Sequence, residues 1–396
     1  MDNKKEAMDL HKKLKGKLEI KSRAKTDTAK DLALAYTPGV AEACLAIEKD
    51  PDEAFQLTRK WNLVAVVTDG TAVLGLGDIG GLAGMPVMEG KSILFKNFAN
   101  VDAFPICLAT KDTEEIIQTV KNIAPSFGGI NLEDIKAPKC FEIEQRLTEE
   151  LDIPVFHDDQ HGTAIVVLAG ILNSLKVVGK KLEDCRIVMS GAGAAGMAIL
   201  HLLQLEGAKD VIFVGRKGIL DANYYDDAYR QKMLATCNPH KAQGGMEEAL
   251  TDADIFIGVS GPGLVTKDMV KKMNKDAIVF AMANPVPEIY PDEATAGGAR
   301  ICGTGRSDFP NQVNNVSVFP GLFRGALDVR ASRITDTMKL AAAHAIADAV
   351  KTPKEDHVLP DAFDLSVAEK ISKAIADQAR KDGVAKLWIT ALNTTA

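Results

Sequence analysis

The chain has 396 residues, a formal net charge of −7 and a pI near 5.6, so no global basic field invites a nucleic acid. With 46% hydrophobic and 26% charged residues it has the composition of an ordinary globular protein, long enough for two domains with cores of their own. No stretch reads as a membrane span of about 20 apolar residues, and Met1-Asp2-Asn3-Lys4-Lys5-Glu6 lacks the apolar core of a secretion signal, so a cytoplasmic protein without membrane partners is expected.

Residues 4–20 are charged, with Met8, Leu10, Leu14 and Leu18 loosely spaced, and predict a peripheral amphipathic helix. The stretch 31–40 ends in Thr37-Pro38-Gly39, a turn signal, and 44–59 reads as a helix. The β-prone apolar run 63–68 predicts a strand buried on both faces, and 69–74 a second strand after a tight turn. Gly75-Leu76-Gly77-Asp78-Ile79-Gly80 spells G-x-G-x-x-G without the context of a nucleotide loop. Pro86 and Gly90 interrupt the residues after it, so this segment reads as a tight turn positioning Lys91, with no clean helix beginning there. Strands are expected at 103–109 and around 130–132, and helices at 113–123 and 139–147.

The next stretch organises the chain. An apolar strand at 153–156 runs into His157-Asp158-Asp159-Gln160-His161-Gly162, before a helix expected at 163–171. Carboxylates at the carboxyl end of a strand sit where α/β folds place their ligands. Neighbours on an extended chain point opposite ways, so Asp158 and Asp159 are expected to face different partners, one a metal and the other a catalytic side chain. The plainer alternative is that one of them caps the helix. Glu133-Asp134 end another strand and, with Asp159, offer three oxygen ligands suited to Mg²⁺ or Mn²⁺. His157 and His161 lie beside them, but without cysteine partners they argue little for zinc. The six cysteines show no C-x-x-C spacing and fit reduced, mostly buried thiols. Tyr36 and Lys91 are polar groups in apolar settings. A partly buried lysine loses affinity for its proton and can serve as a base near neutrality. Otherwise Lys91 pairs with a surface carboxylate and Tyr36 fills core.

In the second half, a strand at 186–190 meets Gly191-Ala192-Gly193-Ala194-Ala195-Gly196, and a helix at 197–205 leads to a strand at 210–214. That is the dinucleotide fingerprint in its proper context, with the loop set to bind a pyrophosphate at the helix N-terminus. The acid usually found at the end of the second strand is missing. Gly215-Arg216-Lys217 stands there, and its basic pair favours the 2′-phosphate of NADP unless it is simply a solvated loop. Strands at 254–259 and 277–281 and Ala-rich helices at 332–350 and 365–382 complete the chain. The fold class is therefore α/β. An N-terminal α/β domain for substrate and metal, residues 1–160, precedes a Rossmann-type doubly wound dinucleotide-binding domain with C-terminal helices, residues 161–396.

Y-T-P-G-V at 36–40, L-G-L-G-D-I-G with Lys91 beyond it, N-L-E-D at 131–134, F-H-D-D-Q-H-G-T-A at 156–164, G-A-G-A-A-G, A-N-P-V-P-E at 283–288 and N-Q-V-N-N-V-S-V-F-P-G at 311–321 together resemble the malic enzymes. The resemblance runs from about residue 20 to 385, in the length of the short prokaryotic form. It implies oxidative decarboxylation of L-malate to pyruvate and CO₂ with NAD or NADP and Mn²⁺ or Mg²⁺, in a homodimer. By motif, Lys91 is implied as the base at the malate hydroxyl, with Asp158 pairing with it, and Tyr36 as the acid that protonates the enolate. Glu133, Asp134 and Asp159 are implied as metal ligands. Asn284 and Asn315 would hydrogen-bond a substrate carboxylate, Asn284 also bordering the cofactor beside the glycine loop and Arg216.

The chain departs from the family at Gly215, at Ala72, where larger relatives carry a substrate-binding arginine, and at Asn100, where a small residue is expected. The lost acid at 215 raises one rival, an oxaloacetate decarboxylase with little malate oxidation, against which the intact glycine loop argues. A nucleotide-sensing module would not need the Lys, Tyr and acidic groups, and an amino-acid dehydrogenase would need no divalent metal.

Overall fold

A computed structural model describes residues 3–73 and 75–387. The apolar run Leu63–Thr68 forms β1, buried on both faces as a continuous V-A-V-V sequence requires. It is an interior strand of a parallel four-stranded sheet made with β2 (Asp102–Cys107), β3 (Gly129–Leu132) and β4 (Val155–His157), in the order β2-β1-β3-β4. The register sets Leu132 of β3 opposite His157 of β4, so Glu133-Asp134 and Asp158-Asp159 leave the sheet side by side at its carboxyl edge.

The helices of this half are α1 (Asn3–Leu14), α2 (Ala29–Ala35), α3 (Val40–Lys49), α4 (Ala54–Leu57), α5 (Gly81–Ala99), α6 (Thr113–Ile123), α7 (Lys139–Glu150) and α8 (Asp158–Val178). Three expectations fail here. The segment 69–73 is a loop rather than a strand, and Leu74 lies outside the described residues. The expected helix at 44–59 is broken into α3, a 3₁₀ turn at Pro51–Glu53, α4 and a second 3₁₀ turn at Arg59–Asn62. A 19-residue helix, α5, begins at Gly81 and runs through both Pro86 and Gly90. Its buried positions, Gly81, Gly84, Met88, Lys91, Ser92 and Phe95, recur at helical spacing, and the carbonyl of Pro86 accepts a hydrogen bond from Lys17 Nζ at 2.6 Å. Asn100 ends this helix in the left-handed conformation (φ 50°), which asparagine tolerates and which accounts for its presence there.

The second sheet contains β5 (Arg186–Ser190), β6 (Asp210–Gly215), β7 (Gly218–Ile219), β8 (Ile255–Gly258), β9 (Ala277–Ala281) and β10 (Ala299–Thr304), in the order β10-β9-β8-β5-β6-β7. All pairs are parallel except the short β6–β7 hairpin. The strand order reverses between β5 and β8, which creates the crevice where doubly wound sheets bind ligands. Helices α9 (Ala194–Leu205), α10 (Ala228–Leu234), α11 (Met246–Leu250), α12 (Lys267–Val270) and α13 (Pro291–Gly297) connect these strands.

The chain ends in α14 (Phe319–Asp328), α15 (Asp336–Ala349) and α16 (Leu365–Lys381). Phe319 and Phe323 of α14 pack edge-on against Phe95 of α5, with centroids 4.7 and 5.3 Å away, so the C-terminal helices also cover the first sheet. Helix α8 is long and apolar enough to cross a membrane by composition, but it is mostly buried, packed on α9 and α15. All six cysteines are free. Only Cys140 and Cys185 are buried, fewer than expected from the sequence.

Candidate active site

The level exit of β3 and β4 concentrates negative charge. Asp134 turns back with a positive φ of 54°, and its amide donates to Asp159 Oδ2 at 2.8 Å. Glu133, Asp134 and Asp159 each offer an oxygen within 4.8 Å of the others. Asp134 Oδ2 is buried without a hydrogen-bond partner. Burial, together with repulsion from neighbouring carboxylates, raises Glu133 to about 7, Asp134 to about 8 and Asp159 to about 6. Two buried carboxylates, Glu133 and Asp134, beside the half-buried Asp159 are costly unless a cation balances them. Three converging hard oxygens, one of them orphaned, fit Mg²⁺ or Mn²⁺.

Lys91 reaches this cluster from α5. Its Nζ lies 2.6 Å from Asp158 Oδ2 and 2.9 Å from Glu133 Oε1, and 4.3 Å over the Phe319 ring. The expectation of a loosened lysine proton fails. Burial does work against the charge, but Asp158 and Glu133 outweigh it and hold Lys91 above its ordinary range. The lysine pairs with buried carboxylates, not surface ones.

Asp158 and Asp159 do face different partners, although not because the chain is extended. Both lie in the first turn of α8, where successive side chains diverge by about 100°. Neither caps the helix: the cap position is His157, whose amide donates to Glu144 Oε1 at 2.8 Å. Gly162, one turn on, is needed because a Cβ there would lie 2.0 Å from Asp158 Oδ1.

A cleft of about 1250 Å³ runs from Lys91, Glu133, Asp134 and Asp159 to Gly191, Ala192, Gly193, Ala194 and Ala195, past Asn284 and Asn315. Gly191 has φ 100°, and a Cβ on it would meet the Val259 carbonyl at 2.6 Å across the switch point. A Cβ on Gly196 would fall 1.8 Å from the Gly191 carbonyl, while one on Gly193 would meet nothing within 4 Å. One glycine makes the turn, one keeps helix and strand together, and one leaves the approach to the loop open. This cradle fits a dinucleotide pyrophosphate.

The family model "Malic enzyme, N-terminal domain" matches residues 15–148, and "Malic enzyme, NAD binding domain" matches residues 160–382. The chain belongs to the malic enzyme family. It is 57% identical over 374 residues to a NAD-dependent malic enzyme of Geobacillus stearothermophilus, covering 94% of this chain and 78% of that one. It is 47% identical over 400 residues to a NADP-dependent malic enzyme of Halomonas elongata, covering 96% of this chain and 94% of that one. The crystal structure of a malic enzyme from Pyrococcus horikoshii superposes with a TM-score of 0.93 at 50% identity, over 97% of this chain and 93% of that one. As a malic enzyme the protein oxidatively decarboxylates L-malate to pyruvate with NAD⁺ or NADP⁺ as acceptor.

Within this malic enzyme site, Asn315 Nδ2 donates to Asp158 Oδ2 at 2.7 Å. Tyr36 does not join the cleft and does not fill core. It follows α2 and is 67% exposed. Arg216 sits on the exposed β6–β7 turn, outside the cleft lining. Three participants escaped the sequence reading. Asn131 donates to Glu133 Oε2 at 2.9 Å. Glu288, fully buried, accepts from the amides of Ser260 and Ala283 at 2.8 and 3.0 Å and ties two cleft loops together. Glu144 anchors α8. The only signal for it was an acid beside the apolar positions Cys140, Phe141, Ile143 and Leu147 of an amphipathic helix.

Proposed function

We propose that Lys91, Asp158 and the Glu133–Asp134–Asp159 cluster carry out malate oxidation and decarboxylation in this cleft, with Tyr36 supplying the final proton. The observation that carries this reading is Lys91 Nζ, held between Asp158 and Glu133 at the open wall of a cleft that continues to the glycine loop. Glu133, Asp134 and Asp159 would hold Mn²⁺ or Mg²⁺, which when bound supplies Lewis acidity at the substrate C2 oxygen and takes up charge as the C3–C4 bond breaks. Lys91 Nζ takes the hydroxyl proton. To act as a base the amine first releases to solvent the proton that Asp158 and Glu133 hold on it, and a cation held by Glu133, Asp134 and Asp159 would favour that release by offsetting part of the negative charge. Asp158, fixed by Asn315, keeps the amine aimed. Asn284 and Asn315 line the same cleft and would receive the substrate carboxylate, with the dinucleotide lying along the glycine loop that begins at Gly191.

The second copy completes the reading. Helices α2 and α3 have no buried residue, and the segment exposes Leu32, Leu34, Tyr36, Val40 and Leu45. That surface suits a homodimer in which Tyr36 enters the partner's cleft and protonates C3 of the enolate. At the adenosine end, a Cβ on Gly215 would meet Leu220 Cδ2 at 2.6 Å. An acid at 215 would therefore need Leu220 to move, and Arg216 is free to receive a 2′-phosphate. This supports NADP as the preferred acceptor. Six free thiols suit a reducing cytoplasm.

The test is reduced-nicotinamide absorbance with L-malate and Mn²⁺, run separately with NAD⁺ and NADP⁺, with pyruvate assayed at the end. Equal growth of reduced cofactor and pyruvate, faster with NADP⁺, is expected. A flat trace with oxaloacetate still decarboxylated would overturn it, and a faster NAD⁺ reaction would overturn the role of Arg216.

A further inference from the structure

Glu144, on α7, is a largely enclosed carboxylate, its side chain 14% exposed, with three donors around it. His157 N donates to Oε1 at 2.8 Å, and Gln160 Nε2 and His161 Nε2 approach Oε2 at 3.0 and 2.8 Å. All three donors belong to the five residues that bracket Asp158 and Asp159. No side chain of α8's own caps its start, so Glu144 supplies from another helix the acceptor that the His157 amide needs, and its charge complements the positive end of the helix. Its other attachment is covalent. Helix α7 begins five residues after Asp134, so the one carboxylate links the segment bearing Glu133 and Asp134 to the turn bearing Asp158 and Asp159.

A carboxylate in this place does what no apolar side chain could: it pairs the His157 amide, Gln160 and His161 together, and its charge is stabilised by His161, Lys339 and His157. A carboxylate offers two oxygens at fixed angles, which hold the first turn of α8 in one rotation about its axis. That rotation decides whether Asp159 points at Asp134 and Asp158 at Lys91.

The geometry points to Glu144 as the positioning residue of the metal site, acting through His157, Gln160 and His161 to set Asp159 against Glu133 and Asp134. The inference rests on the assignment of those three acids as metal ligands. Groups that orient ligands in this way typically change metal affinity about 10- to 100-fold when removed.

The experiment measures Mn²⁺ binding to the full chain by the electron paramagnetic resonance signal of free Mn²⁺, together with thermal unfolding and malate kinetics. The Glu144→Gln side chain keeps one acceptor oxygen, and its amide nitrogen would face donors. The variant is therefore expected to raise the Mn²⁺ Kd about tenfold or more and to lower kcat. Glu142→Gln, on the exposed side of α7, is expected to bind as wild type. His161→Leu, which removes one of the three donors at similar apolar volume, is expected to raise the Kd several-fold, and it decides the question if Glu144→Gln does not fold. A folded Glu144→Gln or His161→Leu protein whose Mn²⁺ Kd and kcat stay within twofold of wild type, whatever its Tm, would overturn the positioning role. Failure of the ligand assignment looks different: wild type would bind no Mn²⁺, or Asp159→Asn would bind it undiminished.

Discussion

Lys91 Nζ and Asp158 Oδ2 are 2.6 Å apart, and Asn315 donates to the same oxygen at 2.7 Å, while Asp158 Oδ1 is buried with no partner. One oxygen of the carboxylate thus carries both the ion pair and the link to the 3₁₀ turn Asn315–Ser317. Lys91→Ala removes the proton acceptor but none of the three metal-facing acids. Malate oxidation is expected to fall by about 10²- to 10⁴-fold, the usual contribution of a general base, with Mn²⁺ binding retained. Stopped-flow absorbance alongside Mn²⁺ titration checks both. Near-normal oxidation by the variant would remove Lys91 from the role.

The acidic cluster is a destabilising feature of the metal-free protein, because Glu133 and Asp134 are buried and the half-buried Asp159 repels them. Asp134→Asn is therefore expected to hold or raise metal-free stability, by up to about 1–2 kcal/mol, while abolishing activity. Wild type should gain Tm on adding Mn²⁺, since the ion binds only the folded chain, and lose the gain with chelator. Calorimetry checks this. A substantial Mn²⁺-dependent gain in Asp134→Asn would exclude Asp134 as a ligand.

Acid should loosen the packing of α15 on α9. Asp336 opens α15, with Oδ2 2.7 Å from His201 Nε2 of α9 and Oδ1 3.1 Å from Lys339 Nζ. The hydrogen bond with His201, opposed by burial and helped by Lys339, holds the Asp336 carboxyl well below the usual carboxylate range. The unfolded chain then binds more protons than the folded one between the two values. The contribution is full above the unfolded value near 3.9 and disappears as pH falls through the depressed folded one. The Asp336 side chain is 43% exposed, so solvent screening limits the effect to about 0.5–1 kcal/mol. Asp336→Asn should be less stable than wild type by that amount at pH 7 and converge with it in strong acid. Parallel stability curves down to pH 2 would refute the pairing.

What the sequence could reveal depended on chain distance. Glu133, Asp134 and Asp159 were readable because each directly follows an apolar strand or its end, and parallel strands deliver their ends to one edge. The glycine loop was readable because strand, loop and helix are contiguous. Helix α5 was hidden because its buried stripe begins with Gly81 and Gly84, which carry no hydrophobic signal. A Cβ on Gly81 would meet the Leu108 carbonyl at 2.4 Å, so close packing there demands glycine. The proton held on Lys91 depends on distances to Asp158 and Glu133, 67 and 42 positions away in sequence, which no local pattern encodes. Glu144 escaped for the same reason. Its partners are 13 to 17 residues away, where β4 passes into α8.

Tyr36 allows a test of subunit sharing. It is exposed beside Leu32, Leu34 and Val40 and absent from the cleft of its own chain, whereas Lys91 is buried within it. If Tyr36 serves the partner's cleft, a chain carrying Lys91→Ala and a chain carrying Tyr36→Phe complement each other. In the mixed dimer, the cleft with Lys91 intact receives the intact Tyr36, and the other cleft has neither. Random association of equal amounts into two-fold dimers makes half of the dimers mixed, each with one working site, so about a quarter of wild-type pyruvate formation should return. Separately, each variant should be inactive in forming pyruvate. Co-refolding the two and assaying pyruvate measures the return. Activity no greater than the sum of the separate variants would mean that Tyr36 acts in its own subunit, after a movement that carries α2 toward the cleft, or not at all.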